Sequence, residues 1–180
     1  MTGDARFEET LEGVLAVLRR TGIAHALIGG LAVAAWGAPR ATEDIDLLAD
    51  ATRSPQLDTT LRQAGFEPEW RRGGPDDPVP LLLRLTQPAG GPEVDVVCAT
   101  TAWEREALGR ATRIRIPGGS EVPVVAVEDL IVLKLLAGGP GDLADVADLL
   151  TRSGPHPDLD ERASARGVLK LLRQVRESLG

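Results

Sequence analysis

Residues 28–50, "IGGLAVAAWGAPRATEDIDLLAD", are the part of the chain that most restricts its fold. The segment "HALIGG" predicts a short buried strand that ends at the glycine pair Gly29-Gly30, and "GLAVAAW" predicts an interior helix because it is apolar on nearly every side. "EDIDLLA" predicts a second strand, in which the period of two places Asp44 and Asp46 on one face and apolar side chains on the other. A strand, a buried helix and a second strand in close succession indicate a mixed α/β fold.

The rest of the chain continues this mixture of helices and strands. Helical spacing predicts a helix over 5–20, and apolar runs predict strands within 81–87 and 93–99, joined by a hairpin at "PAGGP". The segment "RRGGPDDP" predicts a turn or a mobile loop. The further predicted elements are helices at 55–65 and 102–109, a hairpin with strands at 112–116 and 122–126, and three helices at the C-terminal end.

These elements predict a mixed sheet flanked by helices. We expect residues 1–125 to form this core together with the N-terminal helix, and residues 126–180 to form a C-terminal helical segment. A chain of 180 residues can bury about 70% of the surface that it exposes when unfolded. Packing is therefore sufficient to stabilise the fold, and we expect Trp36, Trp70 and Trp103 to serve as packing anchors.

The charge of the chain bears on its partners. The formal net charge is -7, so the chain lacks the overall basic field that non-specific nucleic-acid binding uses. Contact with RNA would require a local basic patch, for which the candidates are Arg71, Arg72, Arg113 and Arg115. The composition therefore argues against RNA unless these side chains come together.

The chain carries no sign of secretion or of a membrane span. Cys98 is its only cysteine, which excludes an intramolecular disulfide and fits a reducing cytosol. No apolar stretch approaches the roughly 18 residues that a membrane helix requires, and no basic segment precedes an apolar N-terminal run. We expect a cytoplasmic protein without contact to a membrane.

Three carboxylates are the candidates for chemistry. In "EVDVVCA" the strand period places Asp95 on a polar face, and if this strand lies beside "EDIDLLA" the side chain joins Asp44 and Asp46. Two like charges about 5 Å apart at an effective dielectric near 20 repel by roughly 3 kcal/mol. A divalent cation removes this cost, and ligands that are all oxygen favour Mg²⁺ or Mn²⁺ over zinc.

The residues before the aspartates suit a nucleoside triphosphate. A glycine pair between a strand and a helix lets the backbone approach phosphate groups and offers them amide donors, so Gly29 and Gly30 are candidates for this contact. Arg40 and Thr42 lie just ahead of the aspartates and are candidates to supply charge and a hydroxyl to the same phosphates.

The sequence "IGGLAVAAWGAPRATEDIDLL" resembles the signature of the nucleotidyltransferase superfamily related to DNA polymerase beta, and "EVDVV" is similar to its third-carboxylate strand. "VEDLIVLKLLAGGPGDLADVADLL" resembles the C-terminal helices of the AbiEii-like and other small, toxin-type bacterial nucleotidyltransferases. The resemblance covers roughly residues 22–152. It implies a nucleotidyltransferase-type sheet.

The resemblance also implies roles for single residues. Asp44 and Asp46 would be metal ligands, and Asp95 would be the third carboxylate and the general base toward an acceptor hydroxyl. The glycine pair would contact the phosphates. Lys134 would reach the triphosphate, with support from Asp142 or Asp145. The chain departs from the pattern at residue 141, where a glycine stands in place of the basic residue that relatives often carry.

The function implied is a Mg²⁺-dependent transfer of a nucleoside monophosphate from an NTP such as ATP to an acceptor hydroxyl, with release of pyrophosphate. Three classes of acceptor stay open: tRNA, for a toxin paired with a cognate antitoxin; a small molecule, for a resistance enzyme; and the side chain of a partner protein. The alternative is a non-catalytic module that binds nucleotide or metal and acts through a protein partner. The position of Asp95 relative to Asp44 and Asp46 is the structural feature that bears on this choice.

Overall fold

The computed structural model describes residues 2–38, 40–74, 79–116 and 121–180. Within these ranges the chain forms one seven-stranded mixed sheet flanked by eight helices. This confirms the mixed α/β fold class. Among the described residues, no helix is both long enough and apolar enough to cross a membrane.

The chain mixes helices and strands in its first two thirds and ends in four consecutive helices. The helices are α1 (Thr2–Arg20), α2 (Gly29–Ala35), α3 (Pro55–Gln63), α4 (Ala102–Gly109), α5 (Val127–Ala137), α6 (Pro140–Arg152), α7 (Leu159–Ala165) and α8 (Leu169–Ser178). The strands are β1 (His25–Leu27), β2 (Ile45–Ala49), β3 (Glu67–Arg72), β4 (Leu81–Thr86), β5 (Val94–Cys98), β6 (Thr112–Arg115) and β7 (Glu121–Val124).

The strand order in the sheet is β3-β4-β5-β2-β1-β7-β6. The pairs β2–β5 and β1–β7 are parallel, and the other neighbours are antiparallel. The two strands that carry the predicted carboxylates, β2 and β5, therefore lie side by side near the middle of the sheet. The strands richest in arginine, β3 and β6, form its two edges.

One face of the central strands is buried in the core. Leu47, Leu83 and Val96 occupy matched positions on β2, β4 and β5, and all three are fully buried. Leu11 and Leu15 of α1 belong to the same apolar cluster. The side chains at alternate positions of these strands point to the opposite face of the sheet.

Two elements differ from the sequence prediction. Arg71 and Arg72, predicted within a turn or loop, are the last residues of β3, because the pairing with β4 continues to the contact of Arg72 with Leu81. Residues 75–78 of the same segment lie outside the described residues. The C-terminal region has four helices where three were predicted, since Gly167 adopts a φ of 73° between α7 and α8.

The tryptophans pack against other elements, as predicted. The indole nitrogen of Trp36 donates to the carbonyl of Val125 at 3.0 Å. Trp70 donates to Asp58 at 2.9 Å. Trp103 lies under the guanidinium of Arg166, whose carbon is 5.1 Å from the ring centroid.

A buried carboxylate joins the sheet-bearing part of the chain to the C-terminal helices. Asp129 of α5 is fully buried, and Arg110 at the end of α4 donates to it through two nitrogens, at 2.9 and 3.1 Å. Arg162 of α7 lies 2.9 Å from the same carboxylate. This ion-pair cluster crosses the predicted boundary between residues 125 and 126, and the division into two domains stays a prediction.

Candidate active site

The pairing of β2 with β5 brings two of the predicted carboxylates together. Asp46 lies directly opposite Asp95 in the parallel register. Asp44 is exposed and immediately precedes β2. The two strands are therefore neighbours, as a shared carboxylate site requires, and both aspartates lie on the face opposite the core.

The surroundings of Asp46 disfavour the ionised form of its carboxyl group. Burial raises the pKa of its carboxyl group above the ordinary value, and the charges of Asp95 and Asp44 raise it further. Lys134 and a hydrogen bond from the backbone of Gly30 act in the opposite direction but do not outweigh these effects. A cation placed beside Asp46 would thus be stabilised by negative charge that the protein leaves partly uncompensated.

The glycine pair packs directly against this carboxylate. Gly29 has a φ of 63°, in the left-handed region, and a Cβ atom at this position would overlap the side chain of Asp46. A Cβ on Gly30 would lie 3.0 Å from the Cβ and Oγ1 atoms of Thr42. The turn that was predicted to approach phosphates therefore also leaves room for Asp46 and Thr42.

Thr42 and Arg40, the two candidate residues ahead of β2, both donate hydrogen bonds within the protein. Thr42 donates from its hydroxyl to the carbonyl of Asp44 at 3.1 Å, which helps to shape the approach to the strand. Arg40 donates to Asp145 of α6 at 2.6 Å, and its guanidinium lies over Gly141. Arg40 thereby occupies the space beside Gly141.

Lys134 lies among carboxylates close to the same face. Its ammonium is 2.8 Å from Asp142 and 2.9 Å from Asp145, which is almost completely buried. Burial lowers the pKa of Lys134, but hydrogen bonds to these two carboxylates outweigh burial and raise it above the ordinary value. The charge of Lys134 also acts on Asp46. The structure thus groups Lys134, Asp142 and Arg40 near the carboxylates, and their contact with a nucleotide stays a prediction.

One residue of this face was not predicted from the sequence. Arg84 of β4 lies directly opposite Asp95 and donates from Nε and Nη2 to its two oxygens, both at 2.8 Å. A third nitrogen of Arg84 lies 3.2 Å from Glu93. The available signal was the single charge in the otherwise apolar "LLLRL", at a position whose neighbours Leu83 and Leu85 are fully buried.

Charged residues form a row across four strands of this face. The strand registers align, in order from the sheet edge, Glu69, Arg84, Asp95 and Asp46. The charges along this row are negative, positive, negative and negative. Arg84 is therefore the cation that compensates the negative charge on the β5 side of the row, while Asp46 has no arginine opposite it.

The donor set fits a cation that needs few protein ligands. Within the described ranges, no group of three or more His, Cys, Asp or Glu side chains is arranged to hold a metal ion. Asp46 combines a raised pKa with a second carboxylate directly opposite it. Mg²⁺ commonly takes one or two carboxylates and completes its shell with water and phosphate oxygens. The residues present therefore fit Mg²⁺ bound together with a nucleotide.

The four arginines proposed as a basic patch do not form one. Arg71 and Arg72 lie on β3, and Arg113 and Arg115 lie on β6. These strands are the opposite edges of the seven-stranded sheet. The prediction of a single patch is wrong, because it depended on a strand order that the sequence does not contain.

A comparison with known protein families places the chain in one of them. The family model described as aminoglycoside-2''-adenylyltransferase matches residues 10–133, more than half of the chain. A search of the curated proteins finds no significant match. The family match supports the predicted nucleotidyltransferase superfamily but not the AbiEii-like subgroup.

Solved structures show the same fold. An antigenic nucleotidyltransferase-like protein from Paracoccidioides brasiliensis is 24% identical, with a TM-score of 0.57 over 95% of this chain and 89% of that chain. The antibiotic-resistance factor ANT(2'')-Ia is 17% identical, with a TM-score of 0.61 over 98% of this chain and 95% of that chain. The lincosamide adenylyltransferase LnuA, bound to lincomycin, is 15% identical, with a TM-score of 0.52 over 80% of this chain and 96% of that chain.

The fold, the carboxylates on β2 and β5 and the extent of the family match lead to one assignment. The chain belongs to the aminoglycoside-2''-adenylyltransferase family and is a nucleotidyltransferase.

Proposed function

We propose that this protein transfers the adenylyl group of ATP to a hydroxyl of a small cationic molecule, in a Mg²⁺-dependent reaction that releases pyrophosphate. The observation that carries this proposal is the placement of Asp46 directly opposite Asp95, with Gly29 packed against Asp46. The family to which the chain belongs supports adenylyl transfer in particular.

Each group has a role in the proposed reaction. Asp44 and Asp46 would hold the metal, with Asp95 as the third carboxylate. When bound, Mg²⁺ supplies positive charge to the phosphates of the nucleotide and to the leaving pyrophosphate. The turn at Gly29 and Gly30 gives the triphosphate close access to the backbone.

The reaction balances as a single displacement. The oxygen of the acceptor hydroxyl forms a bond to the α-phosphorus of ATP, and the bond from this phosphorus to the oxygen that leads to the β-phosphate breaks. The bonding electrons leave with pyrophosphate. The proton of the acceptor passes to an oxygen of Asp95, which has a lone pair to accept it.

The acceptor class is proposed from charge. Glu43, Asp44 and Glu93 are exposed next to the reacting carboxylates, and the chain has a net charge of -7. Such a surface attracts a cationic acceptor and repels the phosphate backbone of RNA. Because the arginine pairs lie on opposite edges of the sheet, they do not offset this effect for a tRNA.

A second candidate function is a non-catalytic nucleotide-binding module that acts through a protein partner. One observation favours it: both oxygens of Asp95 are already bonded to Arg84. In an active enzyme, Asp95 must serve the reaction despite this contact. In a module without turnover, it has no such requirement.

Transfer of label tests the proposal. The protein is incubated with Mg²⁺ and each of the four α-³²P NTPs, in the presence of tobramycin, lincomycin, total cellular RNA or a lysate containing its cellular protein partners. Asp46→Asn is compared with wild type. Asp148→Asn is the matched control, since Asp148 lies on the exposed face of α6 and pairs only with Arg152 among the described residues.

We expect label from ATP on a small cationic acceptor, lost in Asp46→Asn and kept in Asp148→Asn. Label on a tRNA-sized band would instead place the protein with the toxin-type enzymes and suggest a cognate antitoxin. Label on protein would indicate modification of itself or of a partner. Binding of ATP by calorimetry without any transfer would favour the non-catalytic module.

A further inference from the structure

Arg84 and Asp95 form an ion pair with two hydrogen bonds on the face of the sheet opposite the core. The two residues are directly opposite in the antiparallel register of β4 and β5. Both carboxylate oxygens accept a hydrogen bond from the guanidinium at 2.8 Å. The side chains are only about a quarter exposed, at 26% and 24%. A two-bond pair of this kind is both stronger and more directional than a single charged contact.

This contact determines whether Asp95 can bind a metal ion together with Asp46. Asp95 is the side chain that lies opposite Asp46, so a cation at Asp46 has Asp95 as its nearest further carboxylate on β5. In the structure that carboxylate is turned to the other side, toward β4, and is engaged through both oxygens. The absence of a three-ligand group among the described residues agrees with this orientation.

A second carboxylate lies within reach of the same guanidinium. Nη1 of Arg84 is 3.2 Å from Glu93, whose side chain is 50% exposed. Glu93 and Asp95 are two residues apart and lie on the same face of the β5 strand segment. If the two bonds to Asp95 open, Arg84 therefore keeps an anionic partner and does not become an isolated charge.

We propose that Arg84 is a positioning residue that competes with the metal ion for Asp95. The two hydrogen bonds from Arg84 hold Asp95 toward β4, and Arg84 retains Glu93 as its partner when Asp95 turns toward the cation. This inference rests on the proposed function, because it uses the metal position at Asp46 and Asp44. It goes further in assigning a role to a residue outside the carboxylate set.

The test is the affinity of the nucleotide-free protein for Mn²⁺, measured by the electron paramagnetic resonance signal of the free ion. Arg84→Lys keeps the positive charge but cannot form the two parallel hydrogen bonds that Nε and Nη2 of Arg84 donate to the two oxygens of Asp95. Arg84→Gln removes the charge as well. The matched control is Arg71→Gln, since Arg71 is close enough for its charge to interact with Asp95 but forms its hydrogen bonds with Glu69.

We expect both Arg84 variants to bind Mn²⁺ about tenfold more tightly than wild type, because a competing two-bond contact is lost. Arg71→Gln should change the affinity by less than about twofold, since exposed charges at its distance are screened. A structural role alone would predict the opposite, because a disordered site binds the ion less tightly. Circular dichroism and thermal unfolding verify that each variant is folded.

Three results would overturn the proposal. They are an Arg84→Lys protein with wild-type affinity, a weaker affinity in both Arg84 variants, and equal gains in Arg84→Gln and Arg71→Gln, which would indicate a general effect of charge. A different measurement shows whether the proposed function itself is wrong. In that case Mn²⁺ with a non-hydrolysable ATP analogue would bind equally to wild type and to Asp46→Asn.

Discussion

Asp46 and Asp95 face each other across the parallel strands β2 and β5, and within the described ranges no arginine pairs with Asp46. Its pKa is raised by burial and by the two neighbouring aspartates. The ionised form is therefore destabilised by folding. Function and stability should respond in opposite directions when this charge is removed.

We expect Asp46→Asn to lower the rate of nucleotidyl transfer by about 100-fold or more while leaving the protein as stable as wild type or more stable at pH 7. The asparagine oxygen can still accept the hydrogen bond from Gly30. The measurements are transfer of label and urea unfolding. A folded variant with wild-type activity would refute the site.

The same substitution should change the dependence of stability on pH. Below the ordinary aspartate pKa of 3.8, Asp46 is protonated in both states and imposes no penalty. As the pH rises through the raised pKa of the folded state, the penalty develops in wild type but not in Asp46→Asn. The difference in unfolding free energy between the two proteins should thus grow with pH and then level off. A difference that is constant from pH 3 to 8 would contradict the shift.

The close approach of Gly29 to Asp46 predicts a strong effect of a single methyl group. In Gly29→Ala the new Cβ would overlap Asp46 and would also sit at a φ of 63°. The left-handed backbone alone costs an alanine about 1 kcal/mol, and displacement of Asp46 adds to this cost and impairs transfer. Urea unfolding and the transfer assay measure the two effects.

Gly22→Ala is the matched control for this prediction. Gly22 has a φ of 70°, but a Cβ there would meet nothing within 4 Å. We expect it to lose stability through backbone strain and to keep full activity. Equal losses of activity in the two alanine variants would show that backbone strain, and not contact with Asp46, is responsible.

Lys134 should contribute more to stability than an exposed lysine. Its removal in Lys134→Met takes one of two cationic partners from Asp145, whose side chain is only 4% exposed. We expect a loss of about 3 kcal/mol. The contribution should be fully present from neutral pH up to 10.5, the ordinary lysine value, and disappear as the pH rises through the raised pKa of the folded state.

The control for Lys134 is Arg152→Gln. Arg152 pairs with Asp148 on the surface of α6, where both side chains are about half exposed. Such pairs contribute at most about 1 kcal/mol, so denaturant unfolding should separate the two variants clearly. Similar stabilities would mean that Lys134 is as well solvated as a surface residue.

Asp129 should make the predicted core and the C-terminal helices unfold together. Its buried carboxylate binds Arg110 on one side of the predicted boundary and Arg162 on the other. Asp129→Asn removes the buried anion that the two arginines share and, among the described residues, leaves each with only an exposed carboxylate, Glu106 for Arg110 and Asp158 for Arg162. We expect a loss of about 3 kcal/mol. In wild type, tryptophan fluorescence and far-ultraviolet circular dichroism should report a single coincident transition.

Asp158→Asn serves as the comparison, since Asp158 is 65% exposed and lies 3.6 Å from the same Arg162. It should unfold within about 0.5 kcal/mol of wild type. Two separate transitions in the wild-type protein would show instead that residues 126–180 form an independent domain.

Local patterns were sufficient to predict the main elements and the strand face on which two of the candidate carboxylates lie. The period of two in "EDIDLLA" and "EVDVVCA" follows from the pleat of a strand, so the polar face carrying Asp46 and Asp95 could be predicted without knowing the fold. The turn at the glycine pair could also be predicted from local sequence, because the backbone at Gly29 has a φ that favours glycine.

Contacts between distant segments were not predictable in this way. The bonds from Arg84 to Asp95 depend on the register that the "PAGGP" hairpin imposes. The pair of Arg40 and Asp145 joins residues 105 positions apart. Both require the order and spacing of elements in three dimensions. The quoted motifs were sufficient for the nucleotidyltransferase superfamily, which the family match over residues 10–133 supports, but not for the AbiEii-like subgroup, which it does not support.

The burial of Cys98 offers a probe of the sheet that needs no engineering. Its side chain is fully buried at the end of β5, and burial raises the pKa of the thiol to about 11. Because Cys98 belongs to the apolar core cluster, a thiol-specific reagent can modify the native protein only after the packing around the thiol has opened. The labelling rate therefore reports how often the core beside the strand that carries Asp95 opens, and nucleotide that tightens this region should slow the reagent.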